Sequence, residues 1–585
     1  MREKESNSGN ILIKSALYVF AFIGFLCIVL IFLASKVLLP NMDRQVYVGE
    51  NTLLSIDMNR KFPETTSEDL ISEMLGDSSF SLYDLIATIK AAKEDDGISA
   101  IVAFVDNSSL GAAQIDEVRD AIKDFRKSGK KAYAYSQGFG FMSGGLSEYY
   151  LATAFDEIVM QPQAVLGITG VGIEVPFFHK LFKQIGINPE FYARHEYKNA
   201  IASLTDESMS AHYREQMKTL VDGFGSYILE KISKDRGVDY NTMKQIVNKA
   251  PIFAAEALEN GLIDTTGYKE ELISRIGAEQ IISDEEYIST IGNYYEDNKI
   301  AVLFLNGVIE SGDSQAEKLS SEAIIGEDTT LKILREIAED ESIKALVIRV
   351  NSPGGSYTAT NEIWYALKTL KEKRQMPIVV SQGDYAASGG YFISLPADYI
   401  YTQPLTLTGS IGVFGGKIVV AELMDKLKIN WDGVYFGDNA AMESPLRNFD
   451  AKQKEVFNKS LDLVYEDFVK KVMQDRNIKE ENMDKIARGR VWIGLQAVEN
   501  HLADEIGGLE EAVIKAAQLA GVEKYEKEVF PKNKSFQERL ADFISEKTNI
   551  SLAKIMPWAK VEVQNLNFIE NMNKASVYMP IIIKM

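Results

Sequence analysis

The sequence predicts an α/β protein: two tandem copies of one domain, each built on a mainly parallel sheet, preceded by one transmembrane helix. Three observations predict it. An uncharged apolar run lies near the N-terminus, stretches of chain recur at a nearly fixed interval, and β-branched runs alternate with amphipathic ones inside each copy. At 585 residues the chain is too long for a single core.

The apolar run comes first. "SALYVFAFIGFLCIVLIFLAS" lies between Lys14 and Lys36 without a charge, and a helix needs roughly 20 such residues to cross a bilayer. The run exceeds the usual apolar region of a cleaved signal, about 7 to 15 residues, and no A-x-A site follows it. An uncleaved signal anchor is the reading. Arg2, Lys4 and Lys14 precede the span, which puts the N-terminus in the cytoplasm and everything after Val37 outside it. Membrane lipid is therefore a partner through this helix alone, because a net charge of −21 opposes adhesion to anionic lipid. The same charge excludes nucleic acid, whose phosphates need a basic surface. The single cysteine, Cys27, lies inside the span and excludes both an intrachain disulfide and a cysteine metal cluster.

The repeat comes next. "IVAFVDNSSLG" resembles "ALVIRVNSPGG", "SQGFGFMSGG" resembles "SQGDYAASGG", and "AAEALENGLIDTTG" resembles "GLQAVENHLADEIG". Asn351 follows Asn107 by 244 residues, Ser388 follows Ser143 by 245 and Asp504 follows Asp264 by 240. A duplicated domain explains the constant interval. The division is residues 1–40 for the cytoplasmic N-terminus and anchor, 41–290 for the first repeat, 291–530 for the second and 531–585 for a C-terminal extension. The apolar residues of that extension are assigned to assembly rather than to catalysis.

Within the second copy "IAVLFLNGVI", "ALVIRV" and "MPIVVSQ" read as buried strands, while "ATNEIWYALKTLKEK" and "GGYFISLPA" read as helices. Strands alternating with helices imply βαβ units. Such sheets carry their sites at strand ends, where glycine turns lead into helices. Ser388 falls at such a place.

A serine hydroxyl needs an activating base and donors for the developing oxyanion. At a helix start Ser388 would have the N–H of Gly389 beside its oxygen, although a serine there is more often a plain helix cap. A second glycine turn, "NSPGGS" (351–356), follows a strand and can aim the N–H of Gly354 at the same space. The first copy has "NSSLG", with Leu110 in place of Gly354, so its donor turn is less free.

The sequence gives a histidine base little support. The chain has four histidines, and none lies in a repeated element near the serine. A lysine can serve if burial removes its proton; moving its pKa from about 10.4 towards 7 costs on the order of 5 kcal/mol. Lys198, in "FYARHEYKNAIASL", is the candidate, and the repeat interval maps it onto Ala441 in the second copy. The serine copy lacks the lysine and the lysine copy has the weaker oxyanion turn. One site assembled across both repeats accounts for this, with Ser388 from the second and Lys198 from the first.

These residues resemble the long, duplicated form of signal peptide peptidase A (protease IV), an inner-membrane serine protease of bacteria. "NSPGG", "GDYAASGGY" and "TGSIGV" stand in that family's order, and "EYKNA" sits where the long form carries its lysine. The resemblance implies a Clp protease/crotonase-like fold and a Ser-Lys dyad, with Ser388 as nucleophile and Lys198 as general base. It also implies Gly354 and Gly389 as the oxyanion hole and Ser410 as the residue orienting the lysine. It implies a homotetramer, and peptide substrates such as cleaved signal peptides, hydrolysed on the outer side of the cytoplasmic membrane; no metal or nucleotide cofactor is expected, since the sequence has no H-E-x-x-H and no G-x-x-x-x-G-K-[ST] motif. Two rival readings stay open from the residues: a crotonase-like acyl-CoA enzyme, and a non-catalytic membrane scaffold in which Ser388 is only a cap.

Overall fold

The computed structural model describes residue 24 and residues 47–65, 80–140, 144–292, 295–314, 323–532 and 576–578. The expected membrane span, apart from Gly24, and Ser143 lie outside the described residues. Among the described residues no helix is long and apolar enough to cross a membrane.

In the first repeat β1 (Thr52–Asp57) leads through α1 (Leu82–Glu94) to β2 (Ile98–Phe104), then α2 (Ala112–Arg126), β3 (Lys131–Ser136), α3 (Leu146–Ala152) and β4 (Glu157–Met160). The strand pair β5 (Val165–Leu166) and β7 (Ile252–Phe253) is antiparallel; between them come β6 (Asn188–Ala193) and the long helix α4 (Ala211–Arg236). With β8 (Thr265–Thr266) and β9 (Gln280–Ser283) the main sheet has the order β8-β4-β3-β2-β1-β9. All its pairs are parallel. Helix starts are set locally: Ser81 accepts from the N–H of Asp84 while the Asp84 carboxylate returns a bond to Ser81, a reciprocal cap at the head of α1.

The second repeat has the same plan. It runs β10 (Lys299–Asn306), β11 (Val308–Glu310), β12 (Ile324–Gly326), β13 (Ile343–Ser352), β14 (Gly354–Ser356), α5 (Tyr357–Arg374), β15 (Ile378–Ala387) and α6 (Gly389–Ser394). Then follow β16 (Tyr399–Thr402), β17 (Leu407–Gly409), β18 (Phe414–Val419), α7 (Ala451–Asp475), β19 (Val491–Ile493), β20 (Glu505–Ile506) and β21 (Glu526–Phe530). The order is β19-β17-β15-β13-β10-β21, with β16 beside β15 and β20 on β16. The predicted strand "IAVLFLNGVI" is broken at Gly307, where φ is +106° and a Cβ would lie 1.8 Å from the carbonyl oxygen of Ala323. The predicted strand "MPIVVSQ" continues five residues beyond Gln382 to Ala387, because Tyr385–Ala387 find a new partner in β17.

The repeats are not beads on a string. The core around β1–β4 also contains Ala387, Leu405, Leu407, Val491 and Ile493 of the second repeat, so the two share buried apolar surface. A third sheet, β12-β11-β14-β22-β18-β6, combines strands of both, and β22 (Ser576–Tyr578) comes from the C-terminal extension. In it β6 pairs antiparallel with β18 from Asn188↔Val419 to Ala193↔Phe414. This pairing carries the chain beyond β6, including Lys198, onto the second repeat.

A buried charge cluster closes the seam. Arg349, fully buried in β13, donates from Nε to Glu64 at 3.0 Å and also pairs with Glu117. Glu64 further accepts from Gln114 at 2.9 Å. Asp384, in β15, accepts from the N–H of Ala113 at 2.9 Å. Burial pushes the Asp384 carboxyl up to about 6 and that of Glu117 up to about 7.

Candidate active site

Three glycine-bearing turns and one loop build the site. β15 ends at Ala387, and Ser388 turns the chain into α6 with φ +57° and ψ −115°, a conformation that L residues rarely adopt. Its N–H donates to the carbonyl of Gly409 at 2.8 Å, which fixes the turn against β17. Although Ser388 stands at the cap position, its side chain makes no capping bond. The hydroxyl is left for another partner.

That partner is Lys198. Its Nζ lies 2.6 Å from the Ser388 Oγ, 2.9 Å from the Ser410 carbonyl oxygen and 3.0 Å from the Ser410 Oγ. Lys198 is 3% exposed and Ser388 0%. Among the described residues no carboxylate pairs with this lysine, and burial alone pulls its ammonium down to about 7. Ser410, also at positive φ (+51°), is held by its N–H on the Arg490 carbonyl at 2.8 Å.

The loop around Lys198 is clamped by the stretch Arg488–Arg490. Glu196 and Arg488 form an ion pair at 2.9 Å, and the Arg490 guanidinium lies 3.7 Å above the Tyr197 ring. The Arg488 side chain holds the Glu196 carboxyl down at about 2. Gly489 has φ +82°, and a Cβ on it would come within 2.5 Å of the Lys198 main-chain nitrogen. Sequence reasoning missed this clamp; a glycine between two arginines in "ARGRVW" was its one visible sign.

The two candidate oxyanion glycines adjoin. A Cβ on Gly389 would lie 2.9 Å from Thr360 Oγ1 and 3.1 Å from the Gly354 Cα, so the helix start is pressed against the turn of "NSPGGS". Gly354 has φ +109° and its N–H points to the Ser352 Oγ at 3.2 Å. In the first copy Leu110 is buried and is not among the positive-φ residues. Its turn lines a cavity of about 530 Å³ together with Glu148, Asp384 and Tyr385. Ala441 sits in a turn of the second repeat, its carbonyl accepting from the N–H of Ser444 at 3.1 Å. His195, three residues before the lysine, packs on the Tyr465 ring at 4.4 Å.

The arrangement can move a proton. A neutral amine that donates two N–H bonds to the two oxygens of Ser410 keeps its lone pair for the hydroxyl of Ser388, which is the geometry a general base requires.

The model of "Peptidase family S49" matches residues 124–282 and 370–523, one span in each repeat and together more than half of the chain. Protease 4 of Haemophilus influenzae is 30% identical over 485 residues, covering 77% of this chain and 75% of its own length. The chain belongs to peptidase family S49. The two matched spans contain Lys198 and Ser388 respectively. A second relative, the chloroplastic serine protease SPPA of Arabidopsis thaliana, is 31% identical over 461 residues and is covered over 66% of its length. As an S49 member with both family spans, the chain is a duplicated serine protease. Among solved structures, a ClpP1 mutant of Listeria monocytogenes covers 36% of this chain at 15% identity with a TM-score of 0.24.

Proposed function

We propose that this serine protease works through a Ser-Lys dyad shared between its repeats, with Ser388 as nucleophile and Lys198 as base. The observation that carries the reading is the 2.6 Å approach of a buried lysine, without a carboxylate partner among the described residues, to a serine whose side chain makes no capping bond. Ser388 Oγ attacks the scissile carbonyl as its proton passes to Lys198 Nζ, and the ammonium then protonates the leaving amine. Water, deprotonated by the same amine, releases the acyl group. The N–H groups of Gly354 and Gly389 stabilise the oxyanion, which requires Gly354 to exchange its 3.2 Å bond to Ser352 for the substrate oxygen.

The substrates are extended, hydrophobic peptides such as cleaved signal peptides, taken up by strand addition. The strands β14 and β18, which both pair with the added strand β22, supply main-chain partners that suit that mode. The protein is held by its N-terminal helix in the bacterial cytoplasmic membrane, with both repeats on the outer side. A Clp protease/crotonase-like ancestry and a homotetrameric assembly belong to the same proposal, and rest on the resemblance of the motifs.

The test is labelling of the full-length protein with a fluorophosphonate, followed by peptide mapping. The label is expected on Ser388 and absent from Ser388→Ala. A label-resistant wild type that binds coenzyme A would favour the acyl-CoA alternative.

A further inference from the structure

The first repeat keeps a cavity where the second has its nucleophile. Its volume is about 530 Å³, and it lies between the turn after β2 and the head of α3. That is the counterpart of the space between the Gly354 turn and α6, at the interval of 244 to 245 residues that relates the repeats. The volume falls within the range of ligand pockets, about 300–1,000 Å³. Asn107 and Ser109 of its lining are exposed, so the cavity reaches solvent. Leu110, Phe224, Leu405 and Leu407 of its walls are at most 6% exposed.

One side chain there is not explained by packing. At an interval of 245 residues, Ser147 and Glu148 of α3 answer to Phe392 and Ile393 of α6, both fully buried. The first copy therefore carries an acid where the second carries an isoleucine. Glu148 is 7% exposed, lines the cavity, and its Oε2 has no hydrogen-bond partner among the described residues. Burial pushes its carboxyl up, opposed by the N–H groups of Glu148 and Ser108. A buried carboxylate oxygen left unpaired is costly, and among the described residues no basic one lines the cavity. The other acid in the wall, Asp384, is already engaged. It accepts from the N–H of Ala113 at 2.9 Å and lies over Gly111, where a Cβ would strike its carboxylate.

The unpartnered oxygen suits a compact cation. A guanidinium presents a two-point fork that matches both oxygens of a carboxylate, whereas an ammonium turns its three donors to suit single acceptors. Ser147, next to Glu148 in the lining, offers its hydroxyl oxygen as a second acceptor. The leucine and phenylalanine walls suit a chain of methylenes behind such a head. Tyr385, also in the lining, stands three residues before Ser388, at most about 11 Å of chain away. We propose that this cavity binds the lysine side chain of a peptide, with its ammonium on Glu148 Oε2 and its stem against Leu110 and Phe224. The site binds without cutting, since Leu110 replaces the donor glycine and Lys198 is committed to Ser388. This binding is separate from the reaction at Ser388 and does not depend on the Ser388–Lys198 reading.

Saturation-transfer NMR on the full-length Ser388→Ala protein in detergent tests it. The probe is Nα-acetyl-lysine N-methylamide, and its norleucine counterpart is the neutral control. The lysine compound is expected to bind at least about tenfold more tightly than the norleucine compound. Adding Glu148→Gln, which keeps the shape and removes the charge, is expected to erase that preference. The affinity of the norleucine compound should not change with the substitution, which a collapsed cavity would not allow. Equal affinity for the two compounds before that substitution, or a preference that survives it, overturns the proposal. n-Butylamine, the side chain without the peptide groups, is expected to bind more weakly than the lysine compound, and equal binding overturns the peptide as the source of the amine.

Discussion

Lys198 Nζ and Ser388 Oγ, separated by 190 residues of chain, stand 2.6 Å apart in a buried site at the seam of two repeats. The amine has no carboxylate partner among the described residues, and burial alone pulls its pKa from 10.5 to about 7. That pairing has consequences for pH. With a base titrating at about 7, kcat/KM is expected to rise tenfold per unit below pH 7 and to level off above about pH 8. The stability contribution has the same sign. Below pH 7 folded and unfolded chains both carry the proton and the burial penalty is complete. Between about 7 and 10.5 the unfolded chain binds the extra proton, so stability rises with pH. Initial rates on a fluorogenic peptide from pH 5 to 9 check it, and a flat profile contradicts an amine base.

Ser410 is expected to act by positioning. Its carbonyl and hydroxyl both hold the amine, at 2.9 and 3.0 Å. Ser410→Ala removes one of the two, a loss of roughly 1 kcal/mol or more and hence about tenfold in kcat. KM should stay put and the midpoint of the pH profile should move, a combination that a purely structural role would not produce.

Gly489→Ala should act on the lysine from behind. The new methyl would meet the Lys198 main-chain nitrogen at 2.5 Å on a backbone with φ +82°. An expected fall of at least about tenfold in kcat, from displacement of a base by under 1 Å, is read by steady-state kinetics. The same variant should still fold and should lose labelling rate at Ser388.

Arg349→Met should weaken the fold without touching the dyad. Glu64 and Glu117 would remain buried with no cation between them. Breaking such a cluster from one side costs about 3–5 kcal/mol, seen as a lower melting temperature. Adding Glu64→Gln and Glu117→Gln is expected to restore much of it, because no unpaired charge then remains.

The sequence made the duplication, the parallel sheets and the pair Ser388 and Lys198 legible, and for a physical reason. Each repeat carries local patterns, glycine turns after apolar strands, and comparing the two exposed what each lacks: Leu110 for the glycine in one, Ala441 for the lysine in the other. Contacts between distant segments leave no such period. The β6–β18 pairing joins Asn188 to Val419, the clamp joins Glu196 to Arg488, and β22 reaches back to Gly354 from residue 578. Arg349 was readable in part, since a charge inside "ALVIRV" demands a buried partner, but nothing local names Glu64. The C-terminal extension, assigned from its apolar residues to assembly, has three residues paired with the strand of the oxyanion turn.

The central claim is that an amine from the first repeat activates a hydroxyl from the second. Peptide hydrolysis by purified Lys198→Ala, beside wild type and Ser388→Ala at pH 8, tests it most directly. The predicted result is a rate as low as that of Ser388→Ala, at least about a thousandfold below wild type, with the fold unchanged. Hydrolysis by Lys198→Ala within a few-fold of wild type would contradict it.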